Sequence, residues 1–135
     1  MRPMWTALEE FPHALAARDF DRLERCFHRD VRVRVLTSQT TRDAASQAAA
    51  RALFAEWFSD ASVLRLVDAE IDSVHGRSRL CYRMSGVEDG RAFVVEQTAY
   101  CTVVDGAVEV MDVVCSGFRF DVASAEATTL NVSPR

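Results

Sequence analysis

Phe93 to Phe120 reads FVVEQTAYCTVVDGAVEVMDVVCSGFRF, two long runs rich in Val, Thr, Tyr and Phe on either side of Asp105-Gly106. Branched and aromatic side chains suit a pleated, half-buried surface, and an Asp-Gly pair readily supplies the two positive-φ residues of a tight hairpin. The stretch predicts the central hairpin of a sheet. The same grammar recurs just upstream. Leu64–Val74, Ser78–Met84, Phe93–Val104 and Ala107–Phe118 are strand candidates, punctuated by His75-Gly76, Asp89-Gly90 and Asp105-Gly106. Strands joined by turns this short are antiparallel neighbours.

The N-terminal half has a different period. Trp5, Leu8, Phe11 and Leu15 recur at helical spacing, which predicts an amphipathic helix over Trp5–Ala17. Pro12 lacks an N–H and is expected to kink that helix or to restart it. A second, short helix runs through Phe20, Leu23 and Phe27, with Asp19 or Asp21 as N-cap and Glu24 placed for a capping box on Asp21. Val31–Val35 alternates strictly and predicts a short strand with one buried face. Polar Thr37–Thr41 then leads to a third helix. Its apolar stripe is Ala45, Ala49, Leu53, Phe54, Trp57 and Phe58, its polar face Arg42, Gln47, Arg51 and Glu56, and Ser59-Asp60 ends it. Helices followed by strands mean α+β, with three N-terminal helices packed on one face of a strongly curved antiparallel sheet. One domain over residues 1–120 and a loosely attached polar tail over 121–135 are expected.

A chain of 135 residues with 49% apolar composition can bury one substantial core. Its net charge of −4, with arginine interspersed among acids, leaves no basic stripe for nucleic acid. No apolar run approaches bilayer length, and MRPMWTALEE lacks the apolar region of a signal peptide, so a cytoplasmic protein without a membrane partner is expected. Cys26, Cys81, Cys101 and Cys115 lack C-x-x-C spacing and sit in apolar runs, as buried free thiols do. His13, His28 and His75 show no metal-ligand spacing, and no metal or other cofactor is expected. Nucleophile-elbow, phosphate-loop and dinucleotide motifs are missing.

The order helix, helix, short strand, helix and four long strands resembles the NTF2-like superfamily, which includes SnoaL-like cyclases, ketosteroid isomerase, scytalone dehydratase and limonene epoxide hydrolase. Its local anchors are Ala17-Arg18-Asp19-Phe20-Asp21-Arg22-Leu23, Phe27-His28-Arg29-Asp30-Val31 and Asp105-Gly106-Ala107-Val108. The closing pattern, Glu96-Gln97-x-x-Tyr100-Cys101 with Cys115-Ser116-Gly117-Phe118-Arg119, is similar to a bacterial NTF2-like group and implies no activity. The resemblance implies a conical α+β fold and a dimer through the sheet. Laid on these anchors, the isomerase base falls at Val35, its tyrosine at Phe11 and its acid at Ala99, and the hydrolase aspartate falls near Val113. None of these side chains can do the chemistry.

Asp112 is the remaining candidate for catalysis, and its direction depends on the hairpin register. A two-residue turn sets Ala99 opposite Asp112 and turns Asp112 to the face of Gln97 and Cys101. A three-residue loop with a glycine bulge sets Ala99 opposite Met111 and turns Asp112 away, toward Arg79 or Arg83. The second register is favoured, because Phe93, Val95, Ala99, Cys101, Val103, Met111, Val113 and Cys115 then share a dry face broken only by Gln97. The leading expectation is a cone that binds a small, mostly apolar molecule against Phe11, Phe54, Trp57, Tyr82, Gln97, Cys101, Met111 and Cys115. Two alternatives stay open. One is a cofactor-independent isomerase, cyclase or dehydratase with Asp112 as base and Tyr82 or Gln97 steadying an enolate. The other is an interaction module whose cone is filled by its own side chains.

Overall fold

The computed structural model describes residues 6–121, so the expectations for Trp5 and for the tail after Asp121 lie outside the described residues. In chain order the elements are α1 (Thr6–Ala17), α2 (Phe20–Glu24), β1 (Phe27–Leu36), β2 (Thr41–Ala44), α3 (Gln47–Phe58), β3 (Val63–Val74), β4 (Arg77–Glu88), β5 (Arg91–Val104), β6 (Ala107–Cys115) and β7 (Arg119–Phe120). The strands form one sheet in the order β2-β1-β6-β5-β4-β3, with β7 pairing β5. No described helix is long and apolar enough to cross a membrane.

The meander β3–β6 is antiparallel, as the turns require, and the sheet as a whole is mixed. β1 lies parallel to β6, because β1 enters beside the last long strand rather than beside its sequence neighbour β3. His75-Gly76, Asp89-Gly90 and Asp105-Gly106 each have both residues at positive φ, 47° and 82°, 53° and 77°, 54° and 79°. This is the primed turn that matches strand twist.

Four local readings are decided. Pro12 does not restart α1, which runs through it. Phe11, Ala14 and Leu15 are fully buried around it, and this packing outweighs the roughly 3 kcal/mol that a proline costs in a helix interior. Asp19 caps α2, accepting from the Arg22 N–H at 3.1 Å, while Asp21 and Glu24 both accept from Arg51 instead of forming a capping box. Phe27 belongs to β1 rather than to α2. Finally, Thr41–Ala44 is a strand hydrogen-bonded to β1, so α3 starts only after its cap, Ser46. Ala45 and Ala49 are exposed, and Ala50 joins Leu53, Phe54 and Phe58 in the core.

The hairpin register is neither of the two expected. Val104 faces Ala107 and Val103 faces Val108 around a two-residue turn, but Thr102 faces Val110, which leaves Glu109 as an extra residue. Beyond that bulge Ala99 faces Val113 and Cys101 faces Met111. Shifting by one residue after the turn returns the apolar set to the core face. Phe93, Val95, Gln97, Ala99, Cys101, Met111, Val113 and Cys115 are all buried, and Val103 is half-buried.

Candidate functional site

The helices cover the inner face of the sheet with rings. Phe11 of α1 packs edge-on to Phe54 of α3 at 5.2 Å and to Phe27 at 5.8 Å, and lies 5.9 Å from Tyr82. Phe11, Phe54, Tyr82, Gln97, Cys101 and Met111 are therefore brought together inside the cone, and all six are sealed from solvent. Trp57, one turn past Phe54, is half-buried, and Cys115 is 9% exposed. These two stand where the interior reaches the surface.

A polar line crosses this interior. The Tyr82 hydroxyl donates to Gln97 Oε1, and Gln97 Nε2 donates to Cys115 Sγ at 3.3 Å. The Gly117 N–H donates to the same sulfur at 3.4 Å. Burial, with neighbouring thiols adding, holds the Tyr82 phenol well above its usual range, so it serves as a neutral donor. Burial likewise pushes the Cys101 thiol up to about 12.

Cys115 forms the inner wall of a cleft of about 350 Å³, shared with Thr37, Ser38, Gln39, Thr40, Arg42, Trp57, Gly117 and Phe118. Local chemistry builds each wall. Thr37 closes the β1–β2 turn, its hydroxyl donating to Thr40 O at 2.9 Å and accepting the Thr40 N–H at 3.0 Å. Arg42 makes a two-pronged ion pair with Glu56, at 2.9 and 3.1 Å, and its guanidinium lies 5.8 Å from the centre of the Trp57 ring. The pair holds the Glu56 carboxyl below its usual range through that hydrogen bond. Opposite, β6 stops at Cys115, and Gly117, at φ 84°, swings the chain so that Phe118 packs on Phe58 and Phe93 at 5.3 and 5.1 Å. A larger hollow of about 490 Å³ lies among the outward-facing Arg32, Arg34, Val110 and Asp112, apart from the cone.

Asp112 belongs to that outer side. It faces Tyr100 across the ladder, and its Oδ2 accepts from Arg77 Nη2 at 2.9 Å. Neither Arg79 nor Arg83 is its partner: Arg79 takes Asp72 and Glu70 on β3, and Arg83 takes Glu96. Asp112 therefore faces away from the cone.

A family model described as the SnoaL-like domain matches residues 8–111. The chain belongs to that family. Solved structures agree on the fold of this SnoaL-like domain. An NTF2-like protein from Burkholderia xenovorans LB400 superposes with a TM-score of 0.64 at 17% identity, covering 93% of this chain and 95% of that one. An LEH-like epoxide hydrolase from M. tuberculosis gives 0.64 at 14%, covering 96% and 95%. TerC, co-crystallised with polyporic acid, gives 0.66 at 15%, covering 93% and 97%. No curated protein matches the chain.

Of the eight residues expected to meet a ligand, only Trp57 and Cys115 line this cleft, the other six being sealed in the interior, and the cleft's outer half was missed. Thr37–Thr40 reads as a connection and Arg42 as a helix face, whereas both belong to a hairpin. The available signal is four polar residues between Val31–Leu36 and Thr41–Ala44, a hairpin-length gap.

Proposed function

We propose that this SnoaL-like domain binds a small, mostly apolar molecule at the mouth of its cone, between Trp57, Phe118 and the Thr37–Thr40 turn. The observation that carries this reading is the position of Cys115, where the buried line Tyr82–Gln97–Cys115 meets an open cleft. Aromatic walls with a few hydroxyls along one rim are the usual make-up of small-ligand sites, and about 350 Å³ falls within their usual range. The complex of TerC with polyporic acid is an instance of this fold beside a small organic molecule. Among the described residues the cleft's lining offers no carboxylate and no imidazole, which favours binding over acid–base turnover.

The domain pairs as a homodimer through the outer face of the sheet. Leu36 and Val114, neighbours across β1 and β6, are each 51% exposed there. Around them Arg77, Arg79, Arg83, Glu96 and Tyr100 supply groups that a two-fold axis can pair. Four free thiols suit the reducing cytoplasm.

Anilinonaphthalene sulfonate, an aromatic probe, tests the cleft. It should saturate one site per cooperatively folded chain, and Ser38→Trp, which fills the cleft from its exposed rim, should abolish that signal. Undiminished binding to Ser38→Trp refutes the site. For the dimer, sedimentation should show a two-fold mass that Val114→Glu halves.

A further inference from the structure

Two irregularities of the sheet meet at one residue, Glu109. Between β5 and β6 it is the extra residue of the bulge. Between β1 and β6, Phe27 pairs with Val108 and Arg32 with Val110, so His28 to Val31 span on β1 what Glu109 alone spans on β6. β1 must bow outward there, and strand alternation puts His28 and Asp30 on one side of the bow. The donor atoms of His28, Asp30 and Glu109 consequently lie within 4.8 Å of one another. The His28 side chain is 15% exposed and that of Asp30 69%. The Glu109 carboxylate makes no hydrogen bond or ion pair with any other described residue.

We infer that His28, Asp30 and Glu109 form a binding site for a divalent first-row transition cation. One imidazole nitrogen and two carboxylate oxygens make the borderline donor set that such ions prefer, with water completing the shell. Two carboxylates this close repel, and a cation between them converts that repulsion into attraction. Donors sharing an ion at about 2.1 Å sit roughly 3 to 4 Å apart. His28 Nδ1 and Asp30 Oδ2 already stand 3.9 Å apart, and the Asp30 side chain is exposed and free to adjust. His28 Nδ1 accepts the Asp30 N–H at 3.0 Å, in an exposed hydrogen bond. A cation at that nitrogen displaces this bond as the imidazole turns, and leaves the exposed Asp30 N–H to water. Arg29, whose guanidinium is 4.0 Å from Asp30 and whose side chain is 85% exposed, is free to swing aside. This group shares no residue with the cleft beside Cys115, so it stands or falls independently of the ligand reading.

Cobalt(II) added alone to the chelator-treated full chain tests the site, followed by calorimetry and visible absorption. One equivalent should bind with weak visible bands and no intense near-ultraviolet thiolate band. Glu109→Gln and Asp30→Asn should each weaken binding by about tenfold or more, since even supporting residues of metal sites are worth that much. Arg29→Ala should not weaken it. Affinity should fall in acid, because protons compete with the cation for its donor atoms. A thiolate band with the first equivalent, unchanged affinity in both carboxylate variants, or no saturable binding overturns the inference. If Glu109→Gln does not fold, Asp30→Asn, altered at a mostly exposed side chain, gives the same decision.

Discussion

Tyr82 and Gln97, directly opposed across β4 and β5, are joined side chain to side chain in the sealed interior, the phenol donating to the amide oxygen. Every described buried side-chain polar atom has a partner, so this pair satisfies itself. Tyr82→Phe leaves the Gln97 oxygen unpaired and should cost about 1–3 kcal/mol in urea unfolding. Replacing both, as Tyr82→Phe with Gln97→Met, should cost less than the sum of the two single changes. Strict additivity would mean that the bond contributes nothing.

Asp112 is bound to Arg77 on the outer face, in a half-exposed pair. Exposed pairs of this kind contribute about 0–1 kcal/mol. Asp112→Asn should therefore shift unfolding free energy by less than about 1 kcal/mol and leave probe binding at the cleft unchanged. A loss of binding in a folded Asp112→Asn would place its carboxylate in the site after all.

Alkaline pH should unfold the protein partly through Cys101. Burial keeps its thiol protonated up to about 12 in the folded state, whereas an unfolded chain releases that proton near about 8.5. Between those values the folded state binds more protons, so stability falls as pH rises, by at most about 1.4 kcal/mol per pH unit. Below about 8.5 the contribution is complete. Cys101→Ala should flatten the slope in this window, with Tyr82 adding its own loss at higher pH. Parallel profiles for the two proteins would exclude Cys101 as the cause.

Gly86 permits a close crossing of chains. A Cβ there would stand 2.2 Å from the Val63 carbonyl oxygen and 2.7 Å from the Phe93 ring. The first of these is backbone on the neighbouring strand and cannot rotate away. Gly86→Ala should destabilise by about 1–3 kcal/mol, as overpacking does, although alanine is the better strand residue. A neutral result, read from a melting curve, would mean that β3 can slide outward at this end.

Periodicity and turn chemistry are local properties, and they made the helices, the four long strands and the three primed turns legible. Each needs only the residues within one element and its nearest neighbour. The buried inner face was legible for the same reason: inward positions on a strand repeat every second residue, and a helix stripe every third or fourth. Errors fell where a short polar segment, Thr41–Ala44, became a strand only because β1 offered it a hydrogen-bonding edge.

Sequence alone therefore determined an α+β chain, its elements and the dry face of its sheet, because those follow from side-chain size, polarity and spacing. The tertiary structure alone decided three things. It put β1 parallel to β6, set the bulge at Glu109 that turns Asp112 outward to Arg77, and gathered Cys115, Trp57, Phe118 and the Thr37–Thr40 turn around one cleft. Each depends on pairing between segments far apart in the chain. A single extra residue reverses every side chain beyond it, and nothing within either strand records where that residue will fall.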